Sequence, residues 1–255
     1  MGHHRKIEIM DTTLRDGEQT SGVSFLPSEK LQIAKLLLDE MKVDRIEVAS
    51  ARVSEGEMEG VKRITQWAAE KGYLDRVEVL GFVDTPDSIN WIKEAGGKVL
   101  NLLTKGSLNH LTHQLRKTPE QHFKDIEKSV LYARQNGISV NVYLEDWSNG
   151  MRNSMDYTMD LIGVLVQLQV RRIMLPDTLG LLNPREVSHF LKLITSEYPD
   201  THFDFHAHND YDLSVANVLE AIYNGVGGIH TTVNGLGERA GNAPLESVIA
   251  VLKDF

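Results

Sequence analysis

In the stretch Ile9-Met10-Asp11-Thr12-Thr13-Leu14-Arg15-Asp16-Gly17-Glu18-Gln19, a short apolar run ends in an adjacent Arg-Asp pair, and Gly17 offers the backbone freedom for a sharp turn. Asp16 can ligate a divalent cation through its carboxylate, and Arg15 offers a fixed fork of donors to a substrate oxygen beside that cation. Taken alone, the pair reads first as a surface ion pair capping a loop, the commoner use of such residues. The balance changes at His206-Ala207-His208-Asn209-Asp210. Residues two apart in a strand point to the same side, so His206 and His208 can converge on one ion. Two imidazoles and one carboxylate make a three-ligand set with open positions for substrate. Such ligands suit magnesium, manganese, cobalt or zinc without a thiolate, and the residue types do not choose among them.

These residues have to be positioned by a scaffold, and the chain's bulk properties bound what it can be. A length of 255 residues is close to that of a closed α/β barrel and is read as one domain. A hydrophobic share of 41% with 25% charged residues is ordinary for a soluble globular chain. No apolar run approaches the ~20 residues of a membrane span, and no signal peptide is visible, so neither a membrane partner nor export is expected. His3 and His4 are set aside from the metal argument. The net charge of −9 comes without a basic stripe, which argues against nucleic acid as a partner. The chain has no Cys, which fits the cytoplasm and excludes disulfides, thiolate metal sites and cysteine nucleophiles.

Along the chain, short β-like runs alternate with amphipathic stretches. Strands are predicted at Ile7 to Asp11, Arg45 to Ser50, Val77 to Phe82, Val99 to Thr104, Ser139 to Glu145, Arg172 to Pro176, His202 to His208 and Gly228 to Asn234. Pro27-Ser28, Thr118-Pro119-Glu120 and Asn183-Pro184 read as helix starts. Eight βα units in 255 residues is the count of a TIM (β/α)8 barrel, whose sites lie at the carboxyl ends of the strands. A doubly wound open sheet is the alternative, although the first strand-to-helix turn lacks a glycine-rich pyrophosphate cradle. In the seventh strand Asp204, His206 and His208 share one side and Phe203, Phe205 and Ala207 the other, while Glu47 in the second strand is split from Ile46 and Val48. If the apolar sides meet the helices, the barrel interior is polar near its mouth.

With these residues in view, the chain resembles the metal-dependent Claisen-condensing branch of the DRE-TIM metallolyase superfamily, which includes isopropylmalate, homocitrate and citramalate synthases. The resemblance covers nearly the whole chain. It rests on Asp11-Thr12-Thr13-Leu14-Arg15-Asp16-Gly17-Glu18-Gln19, on His206-Ala207-His208-Asn209-Asp210, and on Asn234-Gly235-Leu236-Gly237-Glu238-Arg239-Ala240-Gly241-Asn242. It implies that Asp16, His206 and His208 are metal ligands, with Asn242 ligating directly or through water. It also implies that Arg15 stabilises the alkoxide formed when an acetyl-CoA carbanion attacks a 2-oxo acid, and that Thr178 hydrogen-bonds the oxo-acid carboxylate. Thr178 reads otherwise as a helix cap. Glu145, in Tyr143-Leu144-Glu145-Asp146-Trp147, stands where the family has a carboxylate implicated in the proton transfer from the acetyl-CoA methyl. On sequence alone it reads equally as an ion-pair partner facing Arg15. Glu47 is a candidate partner for Arg15 or a metal ligand, and His110 resembles a position near the substrate pocket.

The stretch Val142-Tyr143-Leu144-Glu145-Asp146-Trp147-Ser148-Asn149-Gly150 resembles the citramalate type more than the isopropylmalate type. Leu80, Leu103 and Tyr143 are then expected to line a small apolar pocket for the methyl of pyruvate, with 2-oxoisovalerate as the alternative substrate. A lyase running the reverse chemistry, as hydroxymethylglutaryl-CoA lyase does, uses a cysteine in the loop where this chain has Gly237-Glu238-Arg239, which favours the synthase. A rival of another class is a noncatalytic barrel that binds a metal and an oxo acid. In the synthases, further subdomains follow the barrel and supply residues to the acetyl-CoA site, often across a homodimer. The expectation from this sequence is a catalytic barrel over residues 1–255 with those downstream domains absent, which by itself binds metal and oxo acid but condenses acetyl-CoA slowly or not at all.

Overall fold

In the computed structural model, which describes residues 6–253, eight parallel strands close into a barrel in chain order. His3, His4 and Phe255 lie outside the described residues. The strands are β1 (Glu8–Asp11), β2 (Arg45–Ser50), β3 (Val77–Phe82), β4 (Val99–Lys105), β5 (Ser139–Glu145), β6 (Arg172–Asp177), β7 (Phe203–Ala207) and β8 (Gly228–Thr231). β1 pairs with β2 on one side and β8 on the other, which leaves no sheet edge and rules out the doubly wound alternative. The architecture is a TIM barrel.

The outward-facing residues of each strand are apolar. Ile46 and Val48, Val77 and Val79, Leu100 and Leu102, Val140 and Val142, Ile173 and Leu175, and Phe203 and Phe205 form one buried layer with the helices. That layer removes apolar surface from water around the whole ring and is the main favourable term in the fold. The expected helix starts are present at Pro27, Pro119 and Pro184. Thr118 Oγ1 accepts from the Gln121 amide while Gln121 Oε1 accepts from the Thr118 amide, a reciprocal cap. Asn183 and Glu186 repeat the device. No helix among the described residues is long and apolar enough to cross a membrane.

The inward-facing residues differ from those of most barrels, which are filled with branched aliphatics. The apolar interior is small: Met10, Leu80, Tyr143 and Met174, with Leu103 against them. Around it the interior is polar, and not only at the mouth. Buried polar groups are costly unless paired, and two chains of partners pair many of them. One runs through Arg45, whose NH1 meets Glu78 Oε1 at 3.1 Å and whose NH2 meets Asp204 Oδ2 at 2.7 Å. Arg45 Nε also meets Glu8 Oε2 at 3.2 Å, and Arg172 holds that same oxygen at 2.6 Å. The other chain runs upward: Asn141 Nδ2 donates to Asn101 Oδ1 at 2.8 Å, and Asn101 Nδ2 donates to Glu47 Oε1 at 2.7 Å. Its upper end is Arg15, whose Nε donates to Glu47 Oε2 at 2.5 Å.

Two strands end earlier than expected. β8 stops at Thr231 because Asn234 has a positive φ of 55°, inside the turn Val233–Gly235. Thr232 there accepts from the Gly235 and Leu245 amides. β7 stops at Ala207, and His208 instead bridges to Asn242 of the glycine-rich loop.

Candidate metal centre and its cleft

The loop after β1 is folded back on a single carbonyl. Thr12 O accepts from the amides of Arg15, Asp16 and Gly17 at 3.1, 2.7 and 3.2 Å, which turns Arg15 and Asp16 toward the barrel mouth. Leu14 is fully buried and anchors the turn from below. Lys30, itself buried, donates to Leu14 O at 3.1 Å and is neutralised by Glu18 and Glu57 at 2.6 and 2.5 Å. Gly17 has no positive φ, and what favours glycine there is close packing. A Cβ there would lie 3.3 Å from both Leu236 Cβ and Thr13 Cγ2.

Across the mouth, β7 delivers His206 and the residue beyond its end delivers His208. Their Nε2 atoms lie 3.2 and 4.0 Å from Asp16 Oδ2. Asp16, His206 and His208 are all buried, and one ligand atom from each lies within 4.8 Å of the others, the one such group among the described residues. Both oxygens of Asp16, Nδ1 of both histidines and Oδ1 of Asn242 are buried without a hydrogen-bond partner. Asn242 Nδ2 donates to Leu236 O at 2.9 Å, which holds the amide while leaving its oxygen free. Buried polar atoms without partners cost on the order of 1–3 kcal/mol each, and a cation held between the Asp16 oxygens and the imidazole Nε2 atoms that face them would remove that cost at Asp16. The donor set therefore fits a divalent ion of the kind that accepts oxygen and imidazole ligands.

The electrostatics agree with that fit. Burial pushes the His208 imidazole down to about 4 and also lowers that of His206, so both are neutral near pH 7, the form that can ligate. Burial works to raise the Asp16 pKa, but Arg15 and the two imidazoles hold it below the usual carboxylate range. Burial also opposes the charge on Arg15, yet Glu47 and Asp16 keep it more strongly protonated than a free arginine. Arg15 NH1 is 3.6 Å from Asp16 Oδ2, and its guanidinium lies 5.9 Å from the Tyr143 ring centroid.

These groups form one end of a cleft of about 360 Å³, whose lining includes Arg15, Asp16, Glu145, Thr178, His206 and His208. Leu80, Leu103, Tyr143, Phe82 and Val53 line the same cleft and provide its apolar wall. Thr178 Oγ1 accepts from the Asp146 amide at 2.8 Å, which leaves its hydroxyl proton available to donate. Three sequence expectations about partners change, and for Glu47 one of its two alternatives holds. Glu145 does not face Arg15; it pairs with Lys105, its register neighbour on β4. Glu47 is the partner of Arg15 and is not in the metal cluster. His110 does not line the cleft and sits 3.5 Å from Asp146 Oδ2. Thr178 caps no helix, since the next one, Pro184–Glu197, is capped by Asn183. Sequence reasoning passed over Lys105, Gln19, Ser50, Glu238 and His230. His230 had a signal: it lies two residues from Gly228 on a strand whose interior side follows from parity.

Residues 6–254 match the HMGL-like family. The chain is 39% identical over 248 residues to the (R)-citramalate synthase CimA of Methanocaldococcus jannaschii, a match covering 97% of this chain and 48% of that protein. It is 36% identical over 249 residues to a probable 2-isopropylmalate synthase of Ignicoccus hospitalis, covering 98% and 60%. It is also 36% identical over 250 residues to a homocitrate synthase of Sulfolobus acidocaldarius, covering 98% and 52%. The chain thus spans about half the length of the curated relatives it matches. Among solved structures, the hydroxymethylglutaryl-CoA lyase of Pseudomonas aeruginosa has the same fold, with a TM-score of 0.84 at 19% identity over 98% of this chain and 86% of that one. With its barrel and its Arg15, Asp16 and His206-Ala207-His208 residues, the chain belongs to the HMGL-like family of the DRE-TIM superfamily, alongside the citramalate, isopropylmalate and homocitrate synthases.

Proposed function

We propose that this barrel is the catalytic unit of a synthase that condenses acetyl-CoA with a 2-oxo acid, preferentially pyruvate to give citramalate, at a divalent cation held by Asp16, His206, His208 and Asn242. The observation that carries this reading is the buried, partnerless ligand set at one end of a cleft that also presents Arg15 and Thr178. A divalent cation bound there supplies Lewis acidity toward the ketone of the oxo acid.

The protein's own residues supply the rest. Glu47 holds Arg15 by its Nε, so the guanidinium's remaining donors face the position where alkoxide charge develops. The Thr178 hydroxyl donates to the oxo-acid carboxylate, its orientation set by the Asp146 amide. Glu145, on the same cleft and balanced by Lys105, takes the proton from the acetyl-CoA methyl, and the carbanion closes the carbon–carbon bond on the ketone carbon. Water then cleaves the thioester and releases the thiol.

The preference for pyruvate rests on the apolar wall. Leu103 and Tyr143 are register partners on adjacent strands and form a continuous surface with Leu80. A pocket gains only ~1–3 kcal/mol per methylene, so discrimination against 2-oxoisovalerate must come from exclusion by these side chains. Thiol release from acetyl-CoA, measured with each oxo acid in the presence of manganese, should give a kcat/KM at least about tenfold higher for pyruvate. Equal values would sink the pyruvate assignment. Binding of both oxo acids with no thiol release from either, also when the barrel is joined to the downstream domains of a curated synthase, would favour a noncatalytic barrel.

A further inference from the structure

Tyr143 lines the cleft, but its hydroxyl is tied to the barrel interior. The Tyr143 hydroxyl is 3.2 Å from Nδ1 of His230, and the other nitrogen of that ring, Nε2, is 3.1 Å from Asp204 Oδ2. The same Asp204 oxygen accepts from Arg45 NH2 at 2.7 Å, and His202 Nε2 meets the second oxygen at 2.9 Å. Tyr143, His230 and Asp204 are all buried.

The direction of the proton follows from these contacts. A carboxylate beside a guanidinium only accepts, so Nε2 of His230 carries the ring proton and Nδ1 of a neutral imidazole is left with its lone pair. A second positive charge on the ring is disfavoured by burial and by the neighbouring Arg45. The Tyr143 O–H therefore donates inward to His230. Its one proton is committed there, and Tyr143 has no donor left for the cleft. The depth at which the ring stands is set by the imidazole that holds its hydroxyl. The ring also packs edge-on against His206, with centroids 6.2 Å apart at 87°, so a shift of Tyr143 moves a wall of the cleft next to the candidate metal centre.

We infer that His230 is a specificity-determining positioning residue. Acting through Tyr143, and itself fixed by Asp204, it sets the depth of the apolar end of the cleft and restricts the bound acid to a short side chain. This rests on the reading of the cleft as a 2-oxo-acid site. Shortening His230 releases the Tyr143 hydroxyl and opens a cavity into which the ring can sink.

The test is calorimetric binding of pyruvate and of 2-oxobutanoate to the manganese-loaded protein, with manganese affinity and circular dichroism recorded for every variant. His230→Ala should shift the ratio of the two affinities toward 2-oxobutanoate by about tenfold. Tyr143→Phe should shift it in the same direction, and the double variant should match His230→Ala alone because both changes break one link. His230→Asn places an amide oxygen near the lost Nδ1 and should restore most of the wild-type ratio, which a purely structural role would not require. An unmoved ratio in a folded, metal-binding His230→Ala protein overturns the inference. So does a shift in Tyr143→Phe that His230→Ala does not share. Should His230→Ala fail to fold, the His230→Asn and Tyr143→Phe pair decides by the same ratio. The ring-nitrogen resonances of His230 give a readout that needs no ligand. The wild type should show a protonated Nε2 and an Nδ1 that shifts in Tyr143→Phe, and an Nδ1 indifferent to that change overturns the inference by itself. A wild type that binds neither acid overturns both the proposed function and the specificity role, whereas failure of the ratio or resonance tests alone leaves the proposed function standing.

Discussion

Replacing Arg15 with Gln should reduce thiol release by about 10²–10³-fold while leaving manganese affinity within a few-fold of wild type. Among the described residues Arg15 is the one guanidinium lining the cleft beside Asp16, and its Nε is already committed to Glu47 at 2.5 Å. Its remaining donors are weakly engaged inside the protein, NH1 reaching Gln19 Oε1 only at 3.4 Å. They are therefore available where negative charge appears during condensation, and a neutral amide offers neither the charge nor the fork. Arg15→Lys should fall between the two, because it keeps the charge and loses the geometry. Oxo-acid affinity should fall less than turnover, since the interaction strengthens as charge develops. Unchanged turnover in Arg15→Gln would remove Arg15 from the chemistry.

The largest effect on stability is expected at Arg45. Its side chain is 3% exposed and neutralises Glu78 and Asp204, both of which are completely buried. Arg45→Met keeps much of the apolar stem but leaves two buried carboxylates without their main counter-charge, a change that costs about 3–5 kcal/mol. The effect should depend on pH in a defined direction. Burial alone would raise the Asp204 pKa, yet Arg45 and the neighbouring imidazoles hold it well below the usual carboxylate value. A folded pKa below the unfolded one contributes stability that is fully present above the unfolded value of about 4 and is lost as pH falls through the folded value. Urea unfolding should therefore show the full gap between wild type and Arg45→Met at pH 6–7, and a narrower gap below about pH 4, where protonation removes the need for a counter-charge. A gap that stays constant or widens on acidification would contradict the assignment of Arg45 as the partner of buried carboxylates.

The ring of strands and the shared side of His206 and His208 were legible because both depend on short-range patterns, whereas bringing Asp16 to those imidazoles depends on closure of the barrel. Period-two alternation with punctuating prolines located β1 to β8, and the His-x-His spacing in a strand placed two imidazoles on one side. What the sequence could not carry depends on register between strands distant in sequence. Lys105 meets Glu145 because β4 and β5 pair residue for residue in that register, and no local feature of Tyr143-Leu144-Glu145-Asp146-Trp147 announces it. The same holds for Arg45, whose partners come from β1, β3 and β7. The early end of β8 was legible in principle, since Asn234-Gly235 is a turn signal that hydrophobic patterning overran. Gly17 shows a different gap: a glycine packed closely against Leu236 looks, in sequence, like one needed for a turn.

The most direct measurement is a calorimetric titration of the metal-stripped protein with manganese, made on wild type and on His208→Ala. His208 is a suitable probe because it lies beyond the end of β7 and its side chain makes few other polar contacts, so its loss should spare the fold. If Asp16, His206 and His208 hold one divalent cation, the wild type should titrate with a single site, and His208→Ala should lose about a hundredfold or more in affinity while its circular dichroism is unchanged. Equal affinity in the folded variant, or no manganese binding by the wild type, would contradict the assignment of this site as a metal centre.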